Sequence, residues 1–393
     1  MRKVLLAFTA LALAGCATEA LDPPVRVTAP REQLAPADQQ VLFWNDATRA
    51  DRFRRMEDYF AGIEIAPAPR PRALPAGAPF GAATISALDS YVASSGAAGI
   101  MVLQDGRVRY EKYALGFAPE QRWTSFSVAK SFTSTLLGAA VKDGFVASLD
   151  DPVTKYLPRL AGTAYDGVSV EQLATMTSGV KWNEDYTDPA SDVARMLQIA
   201  PVPGESQAVT YARTLAREAP AGRKWVYKTL ETNLLGDLVA AATGRSLAAY
   251  AKAKIADPAG FAGGLFWMSD LTGGNIGGCC LSLRLGDYAR FGQFALEGGQ
   301  PSVPTGWFAS AGAPQVEFGD TYAAGPGYGY GYQWWAYPGG NYGAQGIFGQ
   351  SITIVPERRL VIATVSNWPR ATGRELSAAR LALVDRVIAA SGR

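Results

Sequence analysis

Two sets of strand-like runs stand at opposite ends of a helical middle, and any fold for this chain must bring them together. Gly99–Gln104 and Arg107–Glu111 flank Asp105-Gly106, a two-residue turn signal that predicts a hairpin. Far down the chain, Ser351–Val355 and Leu360–Val365 are β-branched runs joined by Pro356–Arg359, and Tyr328–Trp335 reads as a further strand before them. From about 125 to 260 the pattern is helical, with Ser169 and Gln172 forming a capping box ahead of Leu173 and Met176. A last amphipathic helix is predicted over Glu375–Ala389, with Leu376, Ala379, Leu383, Val387 and Ile388 on one face. The expectation is an α+β fold: one antiparallel sheet flanked by N- and C-terminal helices, with an inserted all-helical domain and a cleft between the two. The expected divisions are a signal peptide over 1–15, a tether and N-terminal extension over 16–79, a sheet domain from 80–145 plus 280–393, and a helical domain over 146–279.

Composition matters chiefly for what it removes. There is no histidine in 393 residues, so a Ser-His-Asp triad, a Cys-His pair and an HExxH zinc site are all excluded. Acid–base chemistry falls to Lys, Tyr, Asp or Glu. Lys plus Arg number 37 against 35 Asp plus Glu, which leaves no basic excess for phosphates, so a nucleic-acid partner is not expected.

The start of the chain reads as an export signal. Arg2-Lys3 precede an apolar run from Val4 to Gly15 that is too short to span a bilayer, and Cys16 follows. Leu13-Ala14-Gly15-Cys16 resembles the bacterial lipobox, which implies cleavage before Cys16, acylation of that thiol and anchoring to the membrane of the bacterial envelope. By the sorting rule of such lipoproteins, Ala17 favours a periplasm-facing position on the outer membrane. Pro23, Pro24, Pro30 and Pro36 among polar residues read as a tether from 17 to about 40. Phe53, Met56, Tyr59 and Phe60 then recur at helical spacing within Asn45–Phe60, as an extension strapped onto the body. The remaining thiols, Cys279 and Cys280, are adjacent; neighbours in sequence rarely form a disulfide, so they read as buried packing, with a redox switch as the other reading.

Ser127-Val128-Ala129-Lys130 carries the chemistry. It opens an apolar helical run through Leu136, Leu137 and Val141, and residues three apart share a helix face. A serine hydroxyl needs a neighbour to take its proton, and a desolvated lysine can be a neutral amine able to do so. A serine near a helix N-terminus also offers its own amide to an oxyanion. Those four letters alone fit equally an N-cap serine with a solvated lysine one turn on.

Their context is more specific. Thr124–Ser134, then Leu149-Asp150-Asp151-Pro152-Val153, then Leu173–Gly179 resemble, in order, the motifs of the serine β-lactamase-like (SxxK) superfamily. That superfamily includes class C β-lactamases, DD-peptidases, SxxK esterases and 6-aminohexanoate-dimer hydrolases. Trp182-Asn183-Glu184-Asp185-Tyr186 is most similar to the last of these. The resemblance runs from about Phe43 to the C-terminus and implies Ser127 as nucleophile and Lys130 as base. Tyr227-Lys228-Thr229 matches the family's Tyr-x-Asn with Thr in third place, which implies Tyr227 as proton relay, its charge state eased by Lys130. Ala344-Gln345-Gly346-Ile347 stands where Lys-Thr-Gly is usual, so the cation aimed at a β-lactam carboxylate is missing, while the Ile347 amide beside Gly346 would give the second oxyanion donor. Tyr186 matches a tyrosine that contacts the substrate amide. Gln350 and Trp335 are further candidates for lining the pocket.

The function so implied is hydrolysis of a linear amide or ester through a Ser127 acyl-enzyme, with a small-molecule substrate and no metal or organic cofactor. A class C-like β-lactamase or DD-peptidase is the rival on the same fold. A non-catalytic binding lipoprotein is the rival of another class.

Overall fold

The computed structural model describes residues 25–318 and 327–392. Cys16, the signal segment and the first part of the tether lie outside the described residues.

Two antiparallel sheets organise the chain. The strands are β1 (Val25–Thr28), β2 (Gly62–Ile65), β3 (Ala97–Gln104), β4 (Arg107–Tyr113), β5 (Trp123–Thr124), β6 (Leu265–Met268), β7 (Leu281–Leu283), β8 (Val316–Glu317), β9 (Gly329–Tyr330), β10 (Trp335–Tyr337), β11 (Asn341–Gly346), β12 (Gln350–Val355) and β13 (Leu360–Ser366). The larger sheet has the order β4-β3-β13-β12-β11-β10-β9-β8, so the two predicted hairpins meet where β3 pairs with β13. The first hairpin turns at Asp105 (φ 52°) and Gly106 (φ 71°), the two left-handed residues that match the twist of its strands. The main helices are α1 (Asp46–Phe53), α2 (Ala82–Ser94), α3 (Ala129–Lys142), α4 (Thr229–Thr243), α5 (Leu285–Leu296) and α6 (Arg374–Ala390). Helices α2 and α6 pack together on one face of the sheet over Ile100, Val102 and Ile362, and α5 covers the other face at β3, β12 and β13. Helix α3 runs through the centre of the larger core and is buried from Ala129 to Ala140. The Ser169 capping box forms as predicted, each partner accepting from the other's backbone amide.

Four local expectations are corrected. The tether is shorter than expected: Val25–Thr28 is docked as β1 on β2, with Val25 opposite Ile65. The stretch expected to be helical up to 279 contains β6, because Leu-Phe-Trp-Met is too apolar to stay exposed and finds β2 of the N-terminal extension and β7 as partners. These strands form a second sheet, β1-β2-β6-β7-β5. The Tyr328–Trp335 run is two short strands rather than one, since the chain turns between them with Gln333 at φ 61° and the Gly331 amide on the Trp334 carbonyl. Cys279 and Cys280 are joined to each other in a disulfide, where Cys280, at φ 74°, turns the chain within the pair.

Candidate active site

Ser127 lies in a single 3₁₀ turn, Phe126–Val128, that leads straight into α3, and Lys130 is the second residue of that helix. The turn is pinned to the small sheet. Ser125 donates its amide to the Leu281 carbonyl at 2.7 Å, and its hydroxyl accepts from the Leu281 amide at 3.0 Å. With the serine turn held at the sheet, the one-turn spacing brings Lys130 Nζ to 3.2 Å from Ser127 Oγ.

Lys130 is 1% exposed, and every neighbour of its nitrogen has a defined polarity. Nζ donates to the Gly278 carbonyl at 2.8 Å and to Thr229 Oγ1 at 3.0 Å. Thr229 can only accept there, because its own proton goes to Glu184 Oε1. A neutral amine has two N–H groups and one lone pair. Here Nζ also donates to Ser127 Oγ, as an ammonium does; once it is neutral, two N–H groups can stay on Gly278 and Thr229 while the lone pair turns to the Ser127 hydroxyl. Burial also pulls the lysine down to about 7, with the Glu184 carboxylate opposing, so the free amine is accessible near neutral pH.

Glu184 is the group that sequence reasoning missed. Four donors converge on it: the Thr229 hydroxyl, the Thr229 amide at 2.9 Å, the Tyr186 hydroxyl at 2.8 Å and the Trp182 indole. That pattern suits an ionised carboxylate, which is acceptor-only. It lies in the stretch Trp182–Tyr186, yet Asp185 and Asp188 stand within four residues and nothing in the letters separates them.

Tyr227 lies against Ser127, and its ring centroid is 5.2 Å from Lys130 Nζ. The expectation that Lys130 eases its ionisation is not met. Burial first, and then the Glu184 charge, push the phenol well above its ordinary value, so it holds its proton. Trp335 stacks on it at 5.6 Å and 24°, and Trp225, Phe318 and Tyr330 complete an aromatic wall around it. Tyr186 reaches the same cluster through Glu184; burial and that carboxylate push its phenol up too.

The second wall is the end of β11. A Cβ built on Gly346 would lie 2.6 Å from the Ser125 carbonyl oxygen and 3.1 Å from the Ser127 nitrogen, so only glycine lets this strand close against the serine turn. Ile347 is the next residue along the chain. Gln350 is corrected: it is 0% exposed and does not line a pocket. Its amide donates to the carbonyls of Ile347 (3.1 Å) and Ser366 (2.8 Å) and accepts from the Ser366 amide at 2.8 Å, bracing the loop that carries Ile347. Its polarity suggested a substrate contact; the backbone consumes all of it.

The structure thus brings Ser127, Lys130, Tyr227 and Gly346 together, links Tyr186 to them through Glu184 and Thr229, and carries Ile347 next to Gly346. The Beta-lactamase family model matches residues 85–267 and 281–385, which contain every one of these groups. The chain belongs to the beta-lactamase family. Among curated relatives of this beta-lactamase-family serine hydrolase, the 6-aminohexanoate-dimer hydrolase of Paenarthrobacter ureafaciens is 34% identical over 289 residues, covering 68% of this chain and 72% of that one. Among solved structures, one from Bacillus anthracis, provisionally named a 6-aminohexanoate-dimer hydrolase, aligns with TM-score 0.77 at 20% identity over 92% of this chain and 98% of that one. A class C beta lactamase from Rhodobacter sphaeroides aligns with TM-score 0.58 at 19% identity over 78% and 100%. At such identities the two structures speak for the fold. Thr229 and Ala344 are two of the three positions, with Gln345, at which this chain departs from the motifs it resembles. Thr229 is the lysine's partner, and Ala344 is a buried alanine that carries no charge.

Proposed function

We propose that this hydrolase cleaves linear carboxylic amides or short acyl esters through an acyl-enzyme on Ser127. The observation that carries the reading is the setting of Lys130: a buried Nζ 3.2 Å from Ser127 Oγ, with Gly278 and Thr229 able to take two N–H groups of the neutral amine and so free its lone pair for the Ser127 proton. Ser127 Oγ attacks the carbonyl carbon as its proton passes to Lys130. The amides of Ser127 and Ile347 hold the oxyanion. Collapse expels the amine or alkoxide, which takes a proton from the Tyr227 phenol, and Lys130 restores that proton. Water then attacks the ester along the same path in reverse and frees the acid.

A linear substrate is favoured over a β-lactam because Ala344 supplies no cation for a β-lactam carboxylate and Thr229 is turned toward Lys130 and Glu184. The amide of the relative's name, a 6-aminohexanoate dimer, is the first amide to try. Export and acylation at Cys16 belong to the same proposal, with mature-chain mass in a bacterial host as their check.

The test is intact mass spectrometry of the purified protein after a fluorophosphonate probe, beside turnover of p-nitrophenyl butyrate and of a chromogenic cephalosporin. Labelling and ester turnover that both vanish in Ser127→Ala support the acyl-enzyme. Fast cephalosporin hydrolysis would favour the β-lactamase reading. A folded protein with neither labelling nor turnover would favour a binding lipoprotein.

A further inference from the structure

Two phenylalanines border the amides at the nucleophile, and both have backbone angles that side chains with a Cβ seldom adopt. Phe126, just before Ser127, has φ 43°, and Phe348, just after Ile347, has φ 58°. Conformations of this kind persist only where the surroundings over-determine them. Here part of those surroundings comes from far away in the sequence, from α1 of the N-terminal extension.

Phe53, the last residue of α1, is 0% exposed. Its ring meets Phe126 edge-on at 5.0 Å and Phe348 at 5.5 Å, and those two rings lie 5.3 Å apart, so the three form a closed triangle. One turn earlier, Arg49 sets its guanidinium 4.6 Å from the Phe348 ring centroid. The same guanidinium donates to Asn367 Oδ1 and to the Trp368 carbonyl, both at 2.9 Å, while the Trp368 amide donates to the Phe348 carbonyl at 3.1 Å. Helix α1 is itself fixed, by the Asn45 side chain accepting from the Thr48 amide and by Asp46 accepting from Arg49 and Asn367. The extension therefore touches the serine turn and the β11 loop at once, each at the residue next to the amide that matters.

We infer that α1 is a positioning element for catalysis: Phe53 and Arg49 hold Phe126 and Phe348, and through them fix the spacing of the Ser127 and Ile347 amides. The inference rests on the acyl-enzyme reading above. It gives the N-terminal extension a role beyond covering the core, since an oxyanion site works only when its donors are preorganised.

A loosened oxyanion site has a signature that lost stability does not. A thionoester places a larger sulfur, a poorer hydrogen-bond acceptor, where the oxyanion forms, so a tight site prefers the oxygen ester and a loose one prefers it less. The experiment compares p-nitrophenyl butyrate with its thiono analogue in wild type, Phe53→Leu, Arg49→Met and Arg49→Lys, with Leu88→Ala as a core-cavity control on α2, away from the site. The expected result is a loss in kcat of about 10- to 100-fold in Phe53→Leu and Arg49→Met, with KM nearly unchanged. The ester-to-thionoester ratio should fall in both variants and be partly rescued in Arg49→Lys. Leu88→Ala should lower the melting temperature and leave the ratio alone. If Phe53→Leu fails to fold, the arginine pair decides. Variants that melt early but keep wild-type kcat and ratio would overturn the inference while leaving the acyl-enzyme intact. A wild type with neither labelling nor ester turnover would sink both.

Discussion

The hydroxyl of Thr229 accepts from Lys130 Nζ at 3.0 Å and hands its own proton to the Glu184 carboxylate, so the threonine oxygen faces the lysine with lone pairs only. One methyl-for-hydroxyl exchange tests what that contact does. Thr229→Val keeps the volume but leaves one lysine N–H without an acceptor, and the amine is then free to turn that N–H toward Ser127. We expect kcat/KM for p-nitrophenyl butyrate to fall by about 10- to 100-fold, the usual worth of a positioned base. Thr229→Ser should stay within a few-fold of wild type. Equal losses in the two variants would mean that the hydroxyl only fills space.

The pH dependence follows from the same cluster. Lys130 must be a neutral amine to take the serine proton, and burial brings it down to about 7 against the pull of Glu184. Activity should therefore rise with pH through about 7 and level off above it. Glu184→Gln removes the one charge that favours the ammonium, so the lysine loses its proton at lower pH and the acidic limb should move toward lower pH. A pH–rate profile of kcat/KM in the two proteins reads this directly. A limb that moves to higher pH, or does not move, would remove Glu184 from the base's electrostatics.

Tyr227 separates substrates by leaving group. Its phenol stays protonated because of burial and Glu184, so it is a donor rather than a base at working pH. An amide nitrogen cannot leave without a proton, whereas p-nitrophenolate leaves as an anion. Tyr227→Phe should therefore cost amide hydrolysis about 100-fold or more and spare the aryl ester to within about tenfold. Parallel loss on both substrates would point to a role in shaping the pocket with Trp335 instead.

How far the sequence already disclosed this arrangement depended on whether the physics was local. The Asp105-Gly106 turn was legible because only a few residue types tolerate two successive positive φ angles, and the Ser127–Lys130 pair because helix geometry alone puts the two on one face. Helix α6 runs within a residue of its predicted ends, at Arg374 and Ala390, with Leu383 and Val387 of its predicted face buried and Ala379 of that face exposed. The small sheet was not legible. Its strands have two to four residues, too few for alternation to register, and one of the two partners of β6, the strand β2 at Gly62–Ile65, lies far upstream in the chain. Glu184 and Gln350 failed for a related reason, because a polar letter does not say whether substrate or backbone will satisfy it. Gln350 is spent on Ile347 and Ser366, and Glu184 works through Thr229, a residue first read as a departure from a pattern.

Gly346 offers the sharpest test of how closely the two walls must approach. A Cβ there would stand 2.6 Å from the Ser125 carbonyl oxygen, a separation that van der Waals contact does not allow, so the strand or the serine turn must back away. The turn is tied to Leu281 by two hydrogen bonds and β11 is paired with β12 up to Gly346 itself, so neither can yield without moving an amide at the site. Gly346→Ala should therefore fold, with a melting temperature a few degrees below wild type. It should lose about 100- to 1,000-fold in kcat, the scale of one misplaced oxyanion donor. Lys130 is untouched by the change, so the acidic limb of the pH profile should stay where it is. Fluorophosphonate labelling gives a second reading: on the proposed mechanism the phosphoryl oxygen uses the same two amides, so its rate should drop in step with kcat. A Gly346→Ala protein that labels and turns over at the wild-type rate would show that the Ser127 and Ile347 amides do not act as a pair, and the oxyanion would have to be held elsewhere.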